Sequence, residues 1–322
     1  MKIARRFLVV LILTGCFFPA AELRSQKIMM GKRTYSSLDE LEIRYGMIAA
    51  GNRMYDKKRT VVFQADKRQF TINNVKYFLS YAPLSAGGKI HLAGIDIQNQ
   101  LDPVLLPRSV PKHPVRHIVI DPGHGGKDEG ARGKRYQEKN LTLSIAGKVR
   151  DRLVRAGYRV TMTRHTDIAL TLPQRAALAR ALKADLFISI HINATKDPSI
   201  AGIETFALTP AGGPSTSSAK ADGKSYPGNR CNANNLAFAN MVHRYLLSRT
   251  RGLDRGVKRA RFQVLREVNM PGVLVECGFI SNAAEELSLG SGARQDNIAR
   301  GIADAVAAYR FSIEKNPVPL KK

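Results

Sequence analysis

Four residues along the chain have the side-chain chemistry of a hydrolytic metal site: His124, Glu138, His191 and Glu276. Two imidazoles and a carboxylate that leave a fourth position open are the ligand set of catalytic zinc. Such a metal acidifies a bound water and polarises a carbonyl, while a second carboxylate can take up the proton. A single histidine is more often a polar loop or core residue, so the position of each residue in the fold has to support this interpretation.

The sequence around the four residues places them where elements end or begin. Three of them follow short apolar runs that are typical of buried strands: His124 follows Ile118–Ile120, His191 follows Leu186–Ile190, and Glu276 follows Val273–Val275. Glu138 opens an amphipathic helix, in which apolar residues recur every four positions up to Leu153. If the strands are parallel, the three strand-end residues share one edge of the sheet, and this helix begins near it.

Strands and helices alternate from Val115 onward, which predicts an α/β fold with a mainly parallel central sheet flanked by helices. The remaining predicted strands are Tyr158–Met162, Ile203–Leu208 and Phe262–Leu265. The remaining predicted helices are Gln174–Leu182, Asn235–Ser248 and Asp296–Ala308. Functional residues in such folds gather where strands end and loops begin.

A small α+β module is predicted to precede this sheet, over residues 27–110. It has short β-type runs, a two-residue hairpin signal at Asn73-Asn74, and one short helix within Asp39–Ala49. Four prolines between Asp102 and Pro114 predict irregular chain, with the linker itself at residues 111–114. The catalytic unit is then residues 115–311, and residues 312–322 form a basic tail.

The amino terminus predicts export. A charged start and an apolar run from Phe7 to Ala21 describe a secretory signal over residues 1–26. The segment Leu13–Cys16 resembles a bacterial lipobox, so two outcomes stay open. Lipidation at Cys16 would tether the protein to a membrane, whereas a cut after the Ala20-Ala21 region would release it.

The chain is strongly basic, with 51 Lys and Arg against 26 Asp and Glu among 322 residues, a net charge of +25. Such a charge favours anionic partners, nucleic acid among them. Export removes the protein from nucleic acid, so the expected anionic partner is the cell envelope. The absence of any apolar stretch of about 20 residues excludes a multispan membrane protein. The expected location is therefore the periplasm or the envelope.

Residues 118–311 resemble the zinc-dependent N-acetylmuramoyl-L-alanine amidases, the catalytic domain of bacterial cell-wall amidases. The matching segments occur in family order and are residues 118–126 (IVIDPGHGG), Glu138-Lys139, Thr163-Arg164 with Asp167, residues 189–193 (SIHIN), Gly202–Glu204 and residues 275–282 (VECGFISN). More weakly, residues 33–108 resemble the small stalk modules first named from copper amine oxidases. That second resemblance implies a spacer or a cell-wall-binding role, and nothing about copper.

The resemblance implies that His124, Glu138 and His191 hold one zinc ion per chain, with Glu276 as the catalytic carboxylate. The implied reaction is hydrolysis of the peptidoglycan amide that joins N-acetylmuramic acid to L-alanine. Two alternatives stay open: a non-catalytic envelope-binding protein of the same fold, and a zinc peptidase that cuts another stem-peptide amide. The need for an activator protein also stays open.

Other polar residues support weaker expectations. Asn193 and Asn282 are candidate substrate contacts, although capping a loop or a helix is at least as good an interpretation of each. Arg164 and Arg175 are expected to be structural, pairing with Asp167 or Glu204. The basic stretch from Arg244 to Arg266 is expected either to meet stem-peptide carboxylates or to be a solvated face.

A loop and two cysteines carry the remaining expectations. The loop Pro210–Asn234 stands where some relatives carry a helix that blocks the zinc. Its Gly, Ser and Asn content predicts no such helix, but leaves open that the loop covers the groove. Cys231 and Cys277 are expected to be unpaired, with a disulfide as the alternative, and Cys277 is not expected to be a nucleophile because it alternates away from Glu276.

Overall fold

The computed structural model describes residues 28–314. The predicted export signal, its lipobox and the end of the predicted basic tail at residues 315–322 lie outside the described residues. Within the described part, every helix is too short or too polar to cross a membrane.

The N-terminal region consists of short strands around one helix. Helix α1 (Leu38–Tyr45) begins where the Ser37 side chain accepts a hydrogen bond from the Glu40 N–H, and it ends at Gly46 in the left-handed conformation. The predicted helix within Asp39–Ala49 therefore exists but stops earlier. The strands of this region are β1 (Ile28–Met30), β2 (Arg33–Ser37), β3 (Ile48–Ala50), β4 (Arg53–Tyr55), β5 (Thr60–Val62), β6 (Gln69–Ile72), β7 (Val75–Phe78), β8 (Leu84–Ala86) and β9 (Lys89–Ala93).

The predicted hairpin between β6 and β7 is confirmed. Asn73 and Asn74 both have positive φ angles, 49° and 65°, and the strands on either side pair antiparallel. Asparagine tolerates this conformation because its short polar side chain bonds locally. Strands β1, β2, β9 and β8 form a separate four-stranded sheet.

The proline-containing segment between the two regions is more regular than predicted. A continuous helical stretch comprises α2 (Gly94–Asp96), a π-helical turn (Ile97–Leu101) and α3 (Asp102–Leu105), and a 3₁₀ turn follows at Pro107–Ser109. Pro107 lies in a first turn, where a missing N–H costs nothing. Pro103 lies inside the continuous stretch, and the carbonyl of Asn99, four residues before it, accepts a hydrogen bond from the Arg259 guanidinium instead. The expectation of irregular chain from Asp102 is therefore wrong, although residues 111–116 have no regular structure.

The second region alternates strand and helix as predicted. Its elements are β10 (His117–Pro122), α4 (Glu138–Arg155), β11 (Arg159–Met162), α5 (Leu172–Ala181), β12 (Leu186–Asn193), β13 (Ile203–Leu208), α6 (Asn232–Thr250), β14 (Asp254–Ala260), α7 (Gln263–Glu267), β15 (Gly272–Phe279), α8 (Ala283–Gly290) and α9 (Gly292–Ile313). Helices α4, α6 and α9 pack on one face of the sheet, and α5 and α7 pack together on the other.

The α/β fold class is confirmed. The sheet order β11-β10-β12-β15 is entirely parallel, and β13 then joins β15 antiparallel. Side chains alternate between the two faces, so Ile118 and Ile120 join the core with α4, α6 and α9, while Val119 lies in the core with α5 and α7.

One predicted strand is wrong. Phe262–Leu265 overlaps the one-turn helix α7, and the true strand, β14, is the preceding charged segment. A four-residue apolar run does not distinguish a strand from a buried helical turn. In β14 the Arg259 guanidinium is buried and donates to the carbonyls of Leu208 and Asn99. Because a charged residue in a sequence predicts an exposed position, this buried strand is not recognised from its sequence.

The N-terminal strands continue the sheet of the second region. Strand β14 pairs with β7 through Val257 and Tyr77, which adds β7, β6, β5, β4 and β3 to make eleven strands. The Tyr77 hydroxyl donates to Asn240 on α6 at 2.6 Å. The division at residue 110 stays a prediction, but the two predicted units share one sheet.

Candidate metal centre

His124 lies just past β10, in a turn that glycine makes possible. Its φ is +61°, an uncommon conformation for a residue with a Cβ. Two contacts hold it there: the Arg175 guanidinium donates to its carbonyl at 2.7 Å, and its Nδ1 lies 2.8 Å from Asp128 Oδ2. The preceding Gly123 has to lack a side chain, because a Cβ there would lie 2.3 Å from Cε1 of His191.

Glu138 is the first residue of α4 and is buried, with 4% of its surface exposed. Its Oε1 lies 3.0 Å from His191 Nδ1 and accepts the Ile192 N–H at 3.0 Å. Its Oε2 lies 3.2 Å from His124 Nε2 and accepts the Ala131 N–H at 2.8 Å. The carboxylate therefore bridges the two imidazoles and is fixed by two backbone donors.

The electrostatics of this cluster favour the ionised carboxylate. Burial alone would raise the pKa of Glu138, but the hydrogen bonds and charges of His124 and His191 outweigh burial and hold it well below its usual range. For His124, burial alone would lower the pKa of the imidazole. The hydrogen bonds and charges of Glu138 and Asp128 outweigh burial, so the pKa of His124 is raised.

The donor set fits a zinc ion. The ligand atoms of His124, Glu138 and His191 all lie within 4.8 Å of one another, and the rings of the two histidines are nearly perpendicular. Tetrahedral zinc with bonds of about 2.0–2.1 Å places ligand atoms roughly 3.3 Å apart. The two imidazoles lie 3.0 and 3.2 Å from different oxygens of Glu138, so each ring nitrogen is close enough to share one ion with this carboxylate. The three predicted ligands are thus brought together by three different elements.

Glu276 lies beside the cluster, as the parallel sheet predicts. It is the register partner of His191 on β12 and of Glu204 on β13. Its Oε2 is buried and makes no hydrogen bond to any residue of 28–314. Burial, then the charges of Glu138 and Glu204, raise the pKa of Glu276 well above its usual value, with Lys258 acting in the opposite direction.

Asn193 and Asn282 both have structural partners. The Asn193 amide donates to Glu204 Oε2 at 3.0 Å, and its oxygen accepts the Ala194 N–H. Asn282 caps α8 by accepting the Glu285 N–H, and it donates to the Pro198 carbonyl. Their proposed contacts to substrate stay predictions.

The structural role of Arg164 and Arg175 agrees with expectation, but the expected partners are wrong. Arg175 pairs with Asp121 at 2.8 Å, and Arg164 donates to backbone carbonyls, including that of Gly123 at 2.9 Å. Asp167 instead pairs with Lys139. Both guanidiniums are buried behind the His124 turn, where they satisfy carbonyls that the turn leaves unpaired.

Glu204 and its partners were missed as a group by the sequence analysis. Its carboxylate is buried and pairs with Arg255 at 3.1 Å and with Lys258. Asp128 was missed too. The one available signal was its position four residues after His124 in the same glycine-rich loop, from which its carboxylate can reach the His124 ring.

The basic stretch from Arg244 to Arg266 does not form one surface. Arg259 is buried, Arg261 pairs with Asp222, and Arg249 pairs with Asp304. Arg255 and Lys258 neutralise Glu204. Most of these cations are therefore used within the fold, so the stretch as a whole is not a solvated basic face, and its contact with stem-peptide carboxylates stays a prediction.

The loop after β13 lies away from the metal cluster. Strand β13 runs antiparallel to β15, so the loop leaves from the opposite edge of the sheet. Its carbonyls accept hydrogen bonds from Arg68 and Arg261, and residues 210–226 contain no helix. The absence of a blocking helix agrees with expectation, while cover of the groove by this loop does not occur here.

Both described cysteines are free, and Cys277 is buried. Burial, with a smaller contribution from the Glu276 charge, raises the pKa of the Cys277 thiol, which disfavours the reactive thiolate. This agrees with the expectation that Cys277 is not a nucleophile.

The fold and the cluster together define a class of protein: an α/β sheet whose parallel strands present a His–Glu–His site able to hold a metal, with a further carboxylate alongside. Comparison with known sequences then identifies the family. The pattern of the N-acetylmuramoyl-L-alanine amidase family (Amidase_3) matches residues 118–308, more than half of the chain. The chain belongs to this family.

Individual relatives of the chain are also named as amidases of this kind. The chain is similar to the N-acetylmuramoyl-L-alanine amidase AmiC of Neisseria meningitidis, with 37% identity over 60% of this chain and 52% of that protein. It is also similar to CwlM of Bacillus licheniformis, with 35% identity over 64% of this chain and 72% of that protein. The chain thus spans about half the length of the Neisseria relative.

A solved structure supports the same assignment. The catalytic domain of CwlV, an amidase from Bacillus (Paenibacillus) polymyxa, superposes with a TM-score of 0.53 at 35% identity. The match covers 62% of this chain and all of that domain. The similarity therefore concerns the second region of the chain.

Proposed function

We propose that the protein is a zinc-dependent peptidoglycan amidase, which hydrolyses the amide between the lactyl group of N-acetylmuramic acid and L-alanine. The observation that carries this proposal is the meeting of three metal-binding side chains beside Glu276, a half-buried residue whose Oε2 is buried and unpartnered. Family membership supplies the substrate class.

His124, Glu138 and His191 would hold the zinc, which supplies a polarised substrate carbonyl and an acidified water when bound. Glu276 takes the proton of the attacking water at Oε2 and delivers it to the leaving amine nitrogen. Its raised pKa suits both halves of this task, because a carboxylic acid with an ordinary pKa would release the proton to solvent. Asp128 orients the His124 ring through Nδ1.

The protein is further proposed to act in the cell envelope, after export, with its amino terminus either lipidated at Cys16 or cleaved. The N-terminal region is proposed to be a spacer or a wall-binding element. Residues 210–226 contain no helix that an activator would have to displace. The need for an activator stays open.

The proposal is tested by incubating zinc-loaded protein with purified sacculi and identifying the soluble products by mass spectrometry. Stem peptides with a free L-alanine amine are expected from the wild type. Their release should fall by roughly 10²–10⁴-fold in the Glu276→Gln variant, which keeps the shape of the side chain. Zinc content, measured by atomic absorption, should be equal in both.

Other products would redirect the assignment. Release of a terminal amino acid, or cleavage within the stem, would make the protein a zinc peptidase. If the protein takes up no zinc and binds sacculi without cleaving them, the non-catalytic envelope-binding alternative would be supported. Bound and uncleaved sacculi with full zinc content would instead indicate an enzyme that awaits an activator.

A further inference from the structure

A basic cavity adjoins the metal cluster. It is lined by the loop between β10 and α4 and by the first turn of α4, and its lining includes Arg132, Lys134, Arg135, Gln137 and Asn140. All three cationic side chains are exposed. This concentration of positive charge plays no part in holding the cluster together.

The cavity begins close to the metal-binding carboxylate at both ends of the loop. Ala131, the residue before Arg132, donates to Glu138 Oε2 at 2.8 Å. Gln137, which lines the cavity, directly precedes Glu138, and it forms a β-bridge with Arg132. Because consecutive Cα atoms are about 3.8 Å apart, the cavity starts within one or two residues of the cluster. An extended peptide covers about 3.3 Å per residue, so a few residues reach it.

The loop is held rigidly by α8. Glu286, itself 3% exposed, accepts the N–H groups of Arg135 and Tyr136 at 2.6 and 3.0 Å. The Tyr136 ring packs against Gly290, where a Cβ would lie 2.3 Å from the ring. The side chains of the loop are therefore presented from a fixed backbone, which lowers the entropy lost when they bind a ligand.

Two of the three cations form no ion pair within residues 28–314, although the Glu286 carboxylate that binds the loop's backbone lies near Arg135. Arg132 pairs with Glu129 at 3.3 Å, but no carboxylate of residues 28–314 forms an ion pair with the side chains of Lys134 or Arg135. This contrasts with Arg255 and Lys258, which neutralise Glu204. Lys134 and Arg135 are thus available to an external anion.

We propose that Lys134 and Arg135 bind a carboxylate of the substrate's stem peptide, so that the cavity is a subsite for an acidic peptide. The proposal rests on the proposed amidase function and deepens it by naming the part of the substrate that this loop recognises. Ammonium and guanidinium groups form charge-assisted hydrogen bonds with carboxylates, and Arg does so in a bidentate manner.

The test uses two soluble substrates, a muramyl tripeptide with free carboxylates and the same compound with every peptide carboxyl amidated. The Lys134→Ala/Arg135→Ala variant is expected to raise KM for the acidic substrate about tenfold with kcat nearly unchanged, the size of effect expected from losing two charge-assisted contacts. KM for the amidated substrate should be high and equal in wild type and variant. Added salt should reduce the difference for the acidic substrate.

The matched control is Lys220→Ala/Arg230→Ala, which removes one lysine and one arginine from exposed positions that do not line the cavity. It should leave both KM values unchanged. An equal loss in this control would make the effect one of overall charge. A fall in kcat on both substrates alike would make the loop a structural support, and the subsite proposal would be wrong.

A binding measurement separates this proposal from the amidase function. The acidic and amidated compounds are titrated by calorimetry into zinc-loaded Glu276→Gln protein, with and without the two loop substitutions. Preferential binding of the acidic compound that is lost with the loop substitutions supports the subsite even if the wild type cleaves neither compound. Equal binding of both compounds overturns it, even if the wild type is an active amidase.

Discussion

At the scale of single residues, the contact between Asp128 and His124 makes a specific prediction about metal affinity. A carboxylate on the far nitrogen of a ligating histidine fixes the ring and raises its basicity. Asp128→Asn keeps the size of the side chain but removes the charge, so zinc should bind about 10–100-fold more weakly. Competition with a chelator measures this affinity. Asp151→Asn, on the exposed face of α4, is the control and should not change it.

Glu276 makes a second prediction at this scale, about pH and stability. Its pKa is raised in the folded protein, so the folded state binds the proton more tightly than the unfolded state does. The free energy of unfolding of zinc-free wild type therefore contains a term that falls as pH rises above the unfolded value of about 4.3. Glu276→Gln lacks this term.

Urea denaturation in the presence of a chelator tests this prediction. Wild type and Glu276→Gln should have similar stability near pH 4, and the variant should become the more stable of the two as the pH is raised toward 8. Parallel pH profiles for the two proteins would show that the Glu276 carboxylate titrates normally.

At the scale of elements, two glycines give opposite predictions. At Gly123, between β10 and the His124 turn, a Cβ would strike the His191 ring, whereas at Gly147, inside α4, it would meet nothing within 4 Å. Gly123→Ala should weaken zinc binding at least about tenfold, by displacing a ligand ring. Gly147→Ala should raise the free energy of unfolding by about 0.5–1 kcal/mol, because alanine is the better helix former.

Zinc titration and thermal denaturation of the two variants measure both effects. A Gly123→Ala protein with normal zinc affinity would mean that the His191 ring can move aside without cost. Such a result would weaken the inference that β10 and β12 position the two histidines as one rigid unit.

The same elements explain which features the sequence could predict. The parallel direction of β10, β12 and β15 could be predicted from the alternation of strands and helices, and this direction brings His124, His191 and Glu276 to one edge. Strand β14 could not be predicted, because Arg259 lies in its interior and only tertiary carbonyl partners make that position acceptable. The Glu204 pairing depends on β13 and β14 lying side by side, which no local pattern encodes.

At the scale of the whole molecule, the net charge is +25. The cationic side chains behind it are of two kinds: those that stabilise the fold through internal contacts and those that form no internal ion pair. Arg259 and Arg175 are of the first kind, since buried carbonyls and Asp121 surround them. Lys134 and Arg135 are of the second kind. A high net charge therefore says little about where an anion binds until the internal ion pairs and buried contacts have been identified.

The shared sheet makes a final prediction, that the two predicted units unfold together. Arg259 on β14 donates both to Leu208 in the catalytic region and to Asn99 in the preceding helical segment. Arg259→Met keeps most of the side-chain volume but leaves these carbonyls without a donor, at a cost of about 1–3 kcal/mol for each buried group. Arg244→Met, at an exposed position on α6, should change stability by less than about 0.5 kcal/mol.

Differential scanning calorimetry distinguishes a common unfolding transition from two separate ones. The wild type should show one transition, and Arg259→Met should lower its midpoint as a whole, because the β7–β14 pairing and the Tyr77–Asn240 hydrogen bond transmit the loss to both regions. If only one of two resolved transitions moved, residues 28–110 would be an independently folding domain. The division predicted at residue 110 would then also separate two units that unfold independently. A single shifted transition would instead make the N-terminal strands part of the scaffold that holds β15 and Glu276 in place.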